Sequence, residues 1–261
     1  MSQSRDVRWK ALLELLVEQG HLDVEAAALA LDVSAATIRR DFDQLAQQKM
    51  LARTRGGAVV HGVSYELPLR YKTARRVSEK QRVAQAVAKL IAVGEVVGLT
   101  GGTTTTEVAR SLAVRPDLAS GAPALTIVTN ALNIANELAI RPQFKIVVTG
   151  GVARPQSYEL TGPLADGVLG QITMDTAVLG VNGFDVVHGA AAHHEDEAGI
   201  NRLLCERAER VVVAADSTKL GTRAFASICT TDQVDILVTD TGIGAEMTAL
   251  FTDAGVEVIA V

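Results

Sequence analysis

The sequence predicts the α/β fold class, with a small helical domain at the N-terminus and a larger domain built on a mostly parallel sheet. Apolar residues recur at helical spacing through the first 48 residues, whereas after about residue 78 apolar runs of strand length alternate with helical segments. Hydrophobic residues make up 48% of the chain but aromatic residues only 3%. A core of Val, Ala, Leu and Ile suits buried parallel strands packed against helices.

Charge is divided unevenly along the 261 residues. The net charge is −5, yet residues 1–82 hold 14 Lys and Arg against 10 Asp and Glu, so the acidic excess lies in residues 83–261. The phosphate backbone of a nucleic acid attracts the positively charged residues 1–82 and repels the acidic residues 83–261. We expect no membrane span, because no apolar run reaches about 18 residues, and no secretory leader. Two cysteines, Cys205 and Cys229, are too few for a structural zinc site and indicate reduced thiols in a cytoplasm.

The N-terminal part has the periodicity of three helices followed by a hairpin. Helices are expected over residues 5–20, 24–31 and 34–48, and a hairpin over residues 51–58. The turn of the hairpin falls at Gly56-Gly57, because glycine accepts a sharp turn, and Arg53 and Arg55 alternate on one side of it. Three helices and such a hairpin predict a winged helix-turn-helix at residues 1–60.

The third helix presents a polar face that suits a groove of DNA. Ile38, Phe42 and Leu45 share one face at about 100° per residue, which leaves Arg40 and Gln47 on the opposite side. Arg and Gln side chains can meet base edges or phosphates. This face is therefore predicted to bind double-stranded DNA. The alternative is a small helical dimerisation module whose arginines are solvated.

From about residue 78 the pattern changes to strands that alternate with crossover helices. Strands are expected over residues 96–100, 125–129, 145–149, 176–181, 211–215, 235–239 and 256–260. This spacing is typical of a mostly parallel sheet covered by helices on both faces. Residues 78–261 are therefore predicted to form the larger α/β domain, and residues 61–77 a linker that contains a basic stretch, Arg70 to Arg76.

A glycine–threonine loop between the first of these strands and a helix can hold an anion. It reads Leu-Thr-Gly-Gly-Thr-Thr-Thr-Thr-Glu over residues 99–107. Glycines let the backbone approach an anion closely, and amides at a helix N-terminus bind phosphate oxygens. No Lys follows as in a nucleoside-triphosphate loop, and a plain helix cap is the alternative.

Polar loops also follow other predicted strands, and ligands collect at this carboxyl edge of open α/β sheets. We expect the loops to converge on one cleft. There Lys219 would neutralise a phosphate, while Asp216 and Asn130 would orient hydroxyl groups. For Lys219 the alternative is a surface lysine beside Asp216.

Both parts of the sequence resemble the DeoR family of helix-turn-helix repressors, over about residues 5–240. The resemblance rests on Thr-Ile-Arg-Arg-Asp at 37–41, on the hairpin at 51–58, and on loops such as Thr-Gly-Gly at 149–151 and Asp-Ser-Thr-Lys at 216–219. Many members carry an Asp-x-Gly loop, whose Asp is Thr100 here. A contact from that Asp to a ligand hydroxyl is therefore not carried over.

The resemblance implies a repressor of a carbohydrate catabolic operon whose DNA affinity is controlled by a phosphorylated sugar or related metabolite. The sensing domain is expected to be similar to ribose-5-phosphate isomerase. The expected DNA contacts are Ser34, Thr37, Arg39, Arg40, Arg53 and Arg55. The expected effector contacts are Lys80, Gly101, Gly102, Thr103, Thr104, Thr105, Asn130, Gly150, Gly151, Asn182, Gly183, Glu197, Asp216 and Lys219. The expected state is a cytoplasmic homodimer or homotetramer on operator DNA, without a cofactor.

Two other chemistries are less well supported by these residues. A sugar-phosphate isomerase with an appended helical domain would need a base over the substrate carbon, such as Asp216 or Glu197, and fold similarity alone does not grant that activity. A metal cluster would draw on His188, His193, His194, Glu195, Asp196 and Glu197. The helix dipole stabilises acidic residues at the start of a helix even when no metal is bound. Neither a catalytic site nor a metal site is therefore predicted.

Overall fold

The computed structural model describes residues 5–48, 50–59, 69, 76–119 and 123–261. The chain divides into two compact units, an N-terminal unit, Met1–Arg75, and a C-terminal unit, Arg76–Val261. Most of the predicted linker over residues 61–77, including Arg70 to Arg75 of its basic stretch, lies outside the described residues. No helix in the described ranges combines the length and apolar character needed to cross a membrane.

The N-terminal unit contains the three predicted helices and the hairpin. The helices are α1 (Arg5–Gln19), α2 (Val24–Leu31) and α3 (Ala35–Gln47), and the strands are β1 (His21–Asp23), β2 (Ala52–Thr54) and β3 (Gly57–Val59). The strands form one sheet in the order β1-β3-β2. β1 was not predicted, because only Leu22 of its three residues is apolar and buried.

One apolar cluster holds this unit together. It is built from α1, α2, α3 and the hairpin, and its largest members are Trp9, Leu12, Leu13, Leu16, Ile38, Phe42 and Leu45. The predicted buried face of α3 is correct, since Ile38, Phe42 and Leu45 are fully buried. The opposite face of α3 is therefore free of the unit's own core.

A seven-stranded parallel sheet forms the centre of the C-terminal unit. Its strands are β4 (Val96–Leu99), β5 (Leu125–Thr129), β6 (Phe144–Val148), β9 (Met174–Leu179), β12 (Ala208–Ala214), β14 (Ile236–Thr239) and β15 (Glu257–Ala260). They lie in the order β15-β14-β12-β9-β4-β5-β6, and every neighbouring pair is parallel. All seven predicted strands are present, with ends shifted by up to a few residues.

Helices cover both faces of this sheet. They are α4 (Val77–Leu90), α5 (Thr103–Ala113), α6 (Leu132–Ala139), α7 (Asp166–Leu169), α8 (Glu195–Glu206) and α9 (Ala245–Asp253). Alternate residues of a strand point to opposite faces, and β12 follows this rule: Val212 joins one core cluster, whereas Val211 and Val213 join the other. In the second cluster the rings of Phe184 and Phe251 lie 4.6 Å apart between centroids.

Two small β structures were not predicted. β7 (Val152–Arg154) pairs with β8 (Glu159–Thr161), while β10 (Gly183–Asp185), β11 (Gly189–Ala192) and β13 (Ala226–Cys229) form a three-stranded antiparallel sheet. These strands have three or four residues each. β11 reads Gly-Ala-Ala-Ala, a composition without the β-branched or aromatic residues that mark strands.

The order of the large sheet contains a reversal that positions the candidate site. The chain runs outward from β4 to β5 and β6, and then returns to the other side of β4 to form β9, β12, β14 and β15. The connections that leave β4 and β9 therefore run to opposite sides of the sheet. In open α/β sheets, ligands bind at the carboxyl ends of the strands where the strand order reverses in this way.

Candidate functional site

The outward face of α3 carries the arginines predicted to bind DNA. Arg39 and Arg40 are exposed, and Arg39 Nη2 donates to Glu25 Oε1 at 3.1 Å. Ser34 forms the N-cap of α3, since its Oγ accepts from the Thr37 amide at 3.2 Å and lies 2.9 Å from Thr37 Oγ1. Two of the predicted contacts thus also fix the start of the helix.

The rear of α3 is fixed by a buried aspartate that the sequence interpretation missed. Asp41 is 2% exposed, and its carboxylate accepts from Arg8 Nε at 2.5 Å, Arg8 Nη2 at 3.0 Å and Trp9 Nε1 at 2.8 Å. The hydrogen bond with Asp41 raises the pKa of Arg8. Position 41 lies three residues after Ile38 and four before Leu45, so helical spacing alone places it on the buried face.

The two arginines of the hairpin differ in surroundings. Arg53 Nε lies 3.0 Å from Asp43 Oδ1 and Arg53 Nη1 donates to the Gly57 carbonyl at 2.9 Å. Its guanidinium also lies 5.5 Å from the centre of the Phe42 ring, within the range of a cation–π contact. Arg53 therefore fastens the hairpin to α3, whereas Arg55 is exposed near the turn.

In the C-terminal unit, the loops after β4 and β9 are fastened to each other. The Gly180 amide donates to Thr100 Oγ1 at 2.8 Å, and Thr100 is fully buried. A Cβ at Gly180 would lie 3.0 Å from the Gly101 carbonyl oxygen, closer than ordinary van der Waals contact. Thr100 thus joins the loops that follow β4 and β9.

The glycine–threonine loop opens α5 as predicted. Gly102, the N-cap, has a φ of 135°, which favours glycine. The hydroxyls of Thr105 and Thr106 donate back to the Gly102 carbonyl at 3.2 and 2.6 Å. No side chain caps this helix start, so the amides of its first turn, at Thr103 and Thr104, are available to an anion at the positive end of the helix dipole.

Next to this loop lies a polar cluster that includes two residues missed from the sequence. Asn130 follows β5, and its Nδ2 donates to Glu159 Oε2 at 2.9 Å. Arg154 Nη1 donates to Glu197 Oε1 at 2.8 Å. Glu159 and Arg154 are paired across β7 and β8. Both lie on strands too short to be predicted. The stretch over residues 157–160 resembles the branch of the family that senses amino-sugar or hexose phosphates, but neither residue was among the expected effector contacts.

The other predicted effector residues lie along the same carboxyl edge. Gly150 and Gly151 follow β6, Asn182 and Gly183 follow β9, and Asp216 and Lys219 follow β12. Neighbouring strands are about 4.8 Å apart, so the loops from β12 to β6 extend over about 19 Å. The loops of β4, β5 and β9 are direct neighbours at the centre of this edge.

Several of these side chains already bind protein groups. Asn182 Oδ1 accepts from the His193 amide at 3.0 Å, and Asp216 Oδ1 accepts from the Thr218 amide at 3.2 Å and from the Thr218 hydroxyl. Lys80, which is buried, lies in the first turn of α4, and this helix start is also at the carboxyl edge of the sheet.

A buried carboxylate, Asp240, organises the end of β14 beside this edge. It accepts from the Ser217 amide at 2.7 Å, from the Ser217 hydroxyl at 2.9 Å and from the Gly242 amide at 3.0 Å, and Arg76 Nη1 lies 3.8 Å away. Burial acts to raise the pKa of Asp240, but these hydrogen bonds and the Arg76 charge together hold it below its ordinary value. Asp240 thus ties the Asp216–Lys219 loop to the first residue of the unit.

The histidine and acidic residues around the start of α8 form pairs, such as His194 with Asp196 at 4.0 Å, and do not converge on one point. His188 Nδ1 lies 2.7 Å from Asp185 Oδ1, and Glu197 is bound to Arg154. Within the part of the chain that the structure describes, no three His, Cys, Asp or Glu residues form a group that could hold a metal ion.

Comparison with known proteins matches both units. Residues 8–62 match the DeoR-like helix-turn-helix domain, and residues 75–241 match the DeoR C terminal sensor domain. The chain thus combines a DNA-binding domain with a sensor domain. It belongs to the DeoR family of transcriptional regulators.

Curated relatives are similar along almost the whole chain. A protein of Escherichia coli O157:H7 that is named as a candidate aga operon transcriptional repressor is 35% identical over 257 residues, covering 97% of this chain and 93% of that protein. The glycerol-3-phosphate regulon repressor of Escherichia coli K12 is 30% identical over 246 residues, covering 94% of this chain and 95% of that protein.

Solved structures overlap less completely. Ribose 5-phosphate isomerase A of Methanocaldococcus jannaschii covers 54% of this chain and 53% of its own, with 19% identity and a TM-score of 0.40. A TM-score this low describes a partial overlap and adds nothing to the assignment.

Proposed function

We propose that this DeoR-family regulator represses a carbohydrate catabolic operon and leaves its operator when a phosphorylated sugar or a related metabolite binds the C-terminal unit. Relatives are named as repressors of the aga operon and of the glycerol-3-phosphate regulon, and these names support a carbohydrate-linked target. The observation that carries the proposal is the orientation of α3, whose arginine face is exposed while Asp41 anchors its rear.

The DNA contacts in this proposal divide by position on α3 and the hairpin. A major groove about 12 Å wide admits an α-helix, and the N-terminal residues of a recognition helix contact base edges. Ser34, Thr37 and Arg40 are proposed to lie in the groove. Arg39 and Arg55 are proposed to contact phosphates. Arg53 is bound to Asp43, so a contact with DNA requires it to share that ion pair.

The effector is proposed to bind at the crevice between the loops of β4 and β9. Its phosphate would be held by the amides of Thr103, Thr104 and Thr105, which begin a helix without a side-chain cap. Lys219 would add positive charge from the neighbouring loop. Asn130 would meet a hydroxyl group of the sugar, because its Oδ1 is buried without a partner among the described residues.

The proposal assigns no catalytic role to this unit. Both candidate bases are bound by protein groups, Asp216 by Thr218 and Glu197 by Arg154. Operators read by helix-turn-helix proteins have two-fold symmetry that matches a dimer. We therefore propose a cytoplasmic homodimer or homotetramer.

Titration of labelled DNA from upstream of the protein's own gene tests this function. We expect a mobility shift that competing random DNA does not remove, and its reversal by one member of a panel of pentose, hexose and triose phosphates. The matched control is the unphosphorylated form of the active sugar, which should leave the complex intact. Absence of any shift at low salt would rule out the DNA-binding proposal, and a shift insensitive to every phosphorylated compound would rule out the effector class.

A further inference from the structure

The glycine loop before α5 is covered by the carboxyl group of Glu159. A Cβ placed on Gly101 would lie between 2.3 and 2.5 Å from Cγ, Cδ and Oε1 of Glu159. Glu159 is 4% exposed. Its carboxyl group therefore rests directly on the Gly101 backbone, beside the residues proposed to bind phosphate, and only glycine leaves room for it.

Backbone contacts on both sides hold Glu159 in this position. The Leu160 amide donates to the Asn130 carbonyl at 2.7 Å, and the Leu132 amide donates to the Tyr158 carbonyl at 2.9 Å. Tyr158 has a φ of 60°, a conformation rarely adopted by a bulky residue and retained only where surrounding contacts enforce it. The backbone of β8 and of the loop after β5 therefore fixes the position of Glu159 beside Gly101.

The contact between Glu159 and Asn130 fixes which groups face a ligand. A carboxylate only accepts hydrogen bonds, so the Asn130 amide must direct Nδ2 to Glu159, where the distance to Oε2 is 2.9 Å. Asn130 is fully buried, and its Oδ1 has no hydrogen-bond partner among the described residues. Buried acceptors are normally satisfied. The missing partner is a donor, and a water molecule, a ligand hydroxyl or a ligand ammonium group can each supply one.

We propose that Glu159, together with Asn130, determines which phosphorylated ligands the C-terminal unit accepts. Glu159 accepts a hydrogen bond from a hydroxyl or ammonium group next to the bound phosphate, and its charge excludes ligands that carry a second anionic group there. Arg154, its neighbour across β7 and β8, donates to Glu197. The inference rests on the proposed effector site and adds the ligand's second recognition element to it.

Calorimetric titration of the full-length protein and its Glu159→Gln variant tests this role. The probes are inorganic phosphate, a panel of pentose, hexose and hexosamine monophosphates, and a hexose bisphosphate. We expect the variant to bind inorganic phosphate several-fold more tightly, because a negative charge has been removed. It should bind the preferred sugar phosphate about tenfold more weakly, because a hydrogen bond to a charged acceptor is lost. In Glu159→Gln, the ratio of the affinity for a hexose monophosphate to the affinity for the corresponding bisphosphate should also be smaller than in the wild type.

The opposite signs of these two changes separate recognition from structure. A structural role would weaken both ligands together, and a residue remote from the ligand would change neither; either result would overturn the inference. Glu159→Asp, which keeps the charge, should retain the weak binding of inorganic phosphate. Glu246→Gln, the same charge change at an exposed site on α9, should leave both affinities unchanged.

The wild-type titration distinguishes the two levels of the proposal. Suppose that the wild-type protein binds a sugar phosphate, but Glu159→Gln does not combine tighter binding of inorganic phosphate with weaker binding of that sugar phosphate. The role proposed for Glu159 is then wrong, while the proposed effector site stands. If neither protein binds inorganic phosphate or any sugar phosphate, the effector site itself is wrong, and the inference falls with it.

Discussion

The two candidate sites of this protein are built in different ways. In the N-terminal unit, the proposed DNA-binding face is one side of α3, a single element of 13 residues. In the C-terminal unit, the proposed effector site is assembled from loops after β4, β5, β9 and β12, together with a residue of β8. A site on one helix follows from the period of that helix, whereas a site at a sheet edge depends on which strands are neighbours.

The two units also anchor their sites with different chemistry. Behind α3, the carboxylate of Asp41 is bound by the charged side chain of Arg8 and by Trp9. At the sheet edge, the carboxylate of Asp240 is bound mainly by backbone amides and the Ser217 hydroxyl. A lost ion pair leaves a buried charge uncompensated, while a lost carboxylate among amides leaves donors that another acceptor can still satisfy. The two anchors should therefore respond differently to the same substitution.

The largest effect is expected for Asp41→Asn. The change removes the negative charge that Asp41 places beside the buried guanidinium of Arg8, and breaking a buried pair in this way costs about 3–5 kcal/mol. The N-terminal unit should melt at much lower temperature and lose affinity for operator and random DNA alike. Sugar-phosphate binding should persist, since α4 to α9 do not depend on this pair. Calorimetric scanning and the two binding assays measure these outcomes.

Asp43→Asn is the matched control on the same helix. The Asp43–Arg53 pair is largely exposed, with side-chain exposures of 60% and 31%, and pairs of this kind contribute less than about 1 kcal/mol. Equal destabilisation by the two variants would show that Asp41 is not the anchor of α3. Simultaneous loss of sugar-phosphate binding in Asp41→Asn would show that the two units do not fold independently.

A second effect concerns the effector site alone. Lys219→Ala should weaken the response to the active sugar phosphate by tenfold or more, because a charge-assisted contact with phosphate is worth about 1.5–3 kcal/mol. Operator affinity without effector should stay at the wild-type value. The measurement is the effector concentration that releases half of the bound DNA. An unchanged value would remove Lys219 from the effector site.

Sequence patterns predicted the elements better than the contacts between them. The period of α3 identified Ile38, Phe42 and Leu45, and apolar runs located all seven strands of the large sheet. The same reasoning gave Asp41 no structural position, although its spacing from Ile38 places it inside. It expected Arg53 to contact DNA, because a hairpin alternation does not reveal that Asp43 on α3 is its partner.

Only part of the candidate effector site could be predicted from the sequence, because some of its contacts depend on strand order and not on local patterns. Loops such as Gly101–Thr105 are recognisable because glycines and hydroxyls before a helix have their own signature. The reversal between β4 and β9, which makes these loops neighbours, is a property of strand order and has no local signal. Glu159 reaches Gly101 only because β8 pairs with the loop after β5, as the bridge between Ala131 and Glu159 shows.

A third effect tests how α3 reads DNA. Arg40→Ala should reduce operator affinity by about 1–3 kcal/mol if the side chain contacts a base, with little change on random DNA. Arg39→Ala is the companion variant, because Arg39 is exposed on the same helix but paired with Glu25; it is expected to weaken operator and random DNA equally. Competition titrations at fixed salt measure both. Equal losses in Arg40→Ala would assign Arg40 to phosphate contact.

The smallest effect is expected for Asp240→Asn, the counterpart of Asp41→Asn in the other unit. Asn retains an acceptor for the amides of Ser217 and Gly242. At neutral pH, the decrease in the free energy of unfolding should therefore be well below the decrease caused by Asp41→Asn. Because the folded state holds the pKa of Asp240 below its ordinary value, the carboxylate's stabilisation is present above the unfolded pKa of about 3.9 and is lost as pH falls through the folded pKa.

Denaturant unfolding of the C-terminal unit from pH 7 to pH 2 measures this contribution. The difference between wild type and Asp240→Asn should be constant above about pH 5 and shrink below about pH 4, because the wild-type carboxylate then takes up a proton and resembles the amide. Asp253→Asn, at the exposed end of α9, supplies the matched control. A difference that grows toward low pH would mean that burial outweighs the hydrogen bonds of Asp240. The Asp240 carboxylate would then destabilise the C-terminal unit, whereas the Asp41 carboxylate stabilises the N-terminal unit.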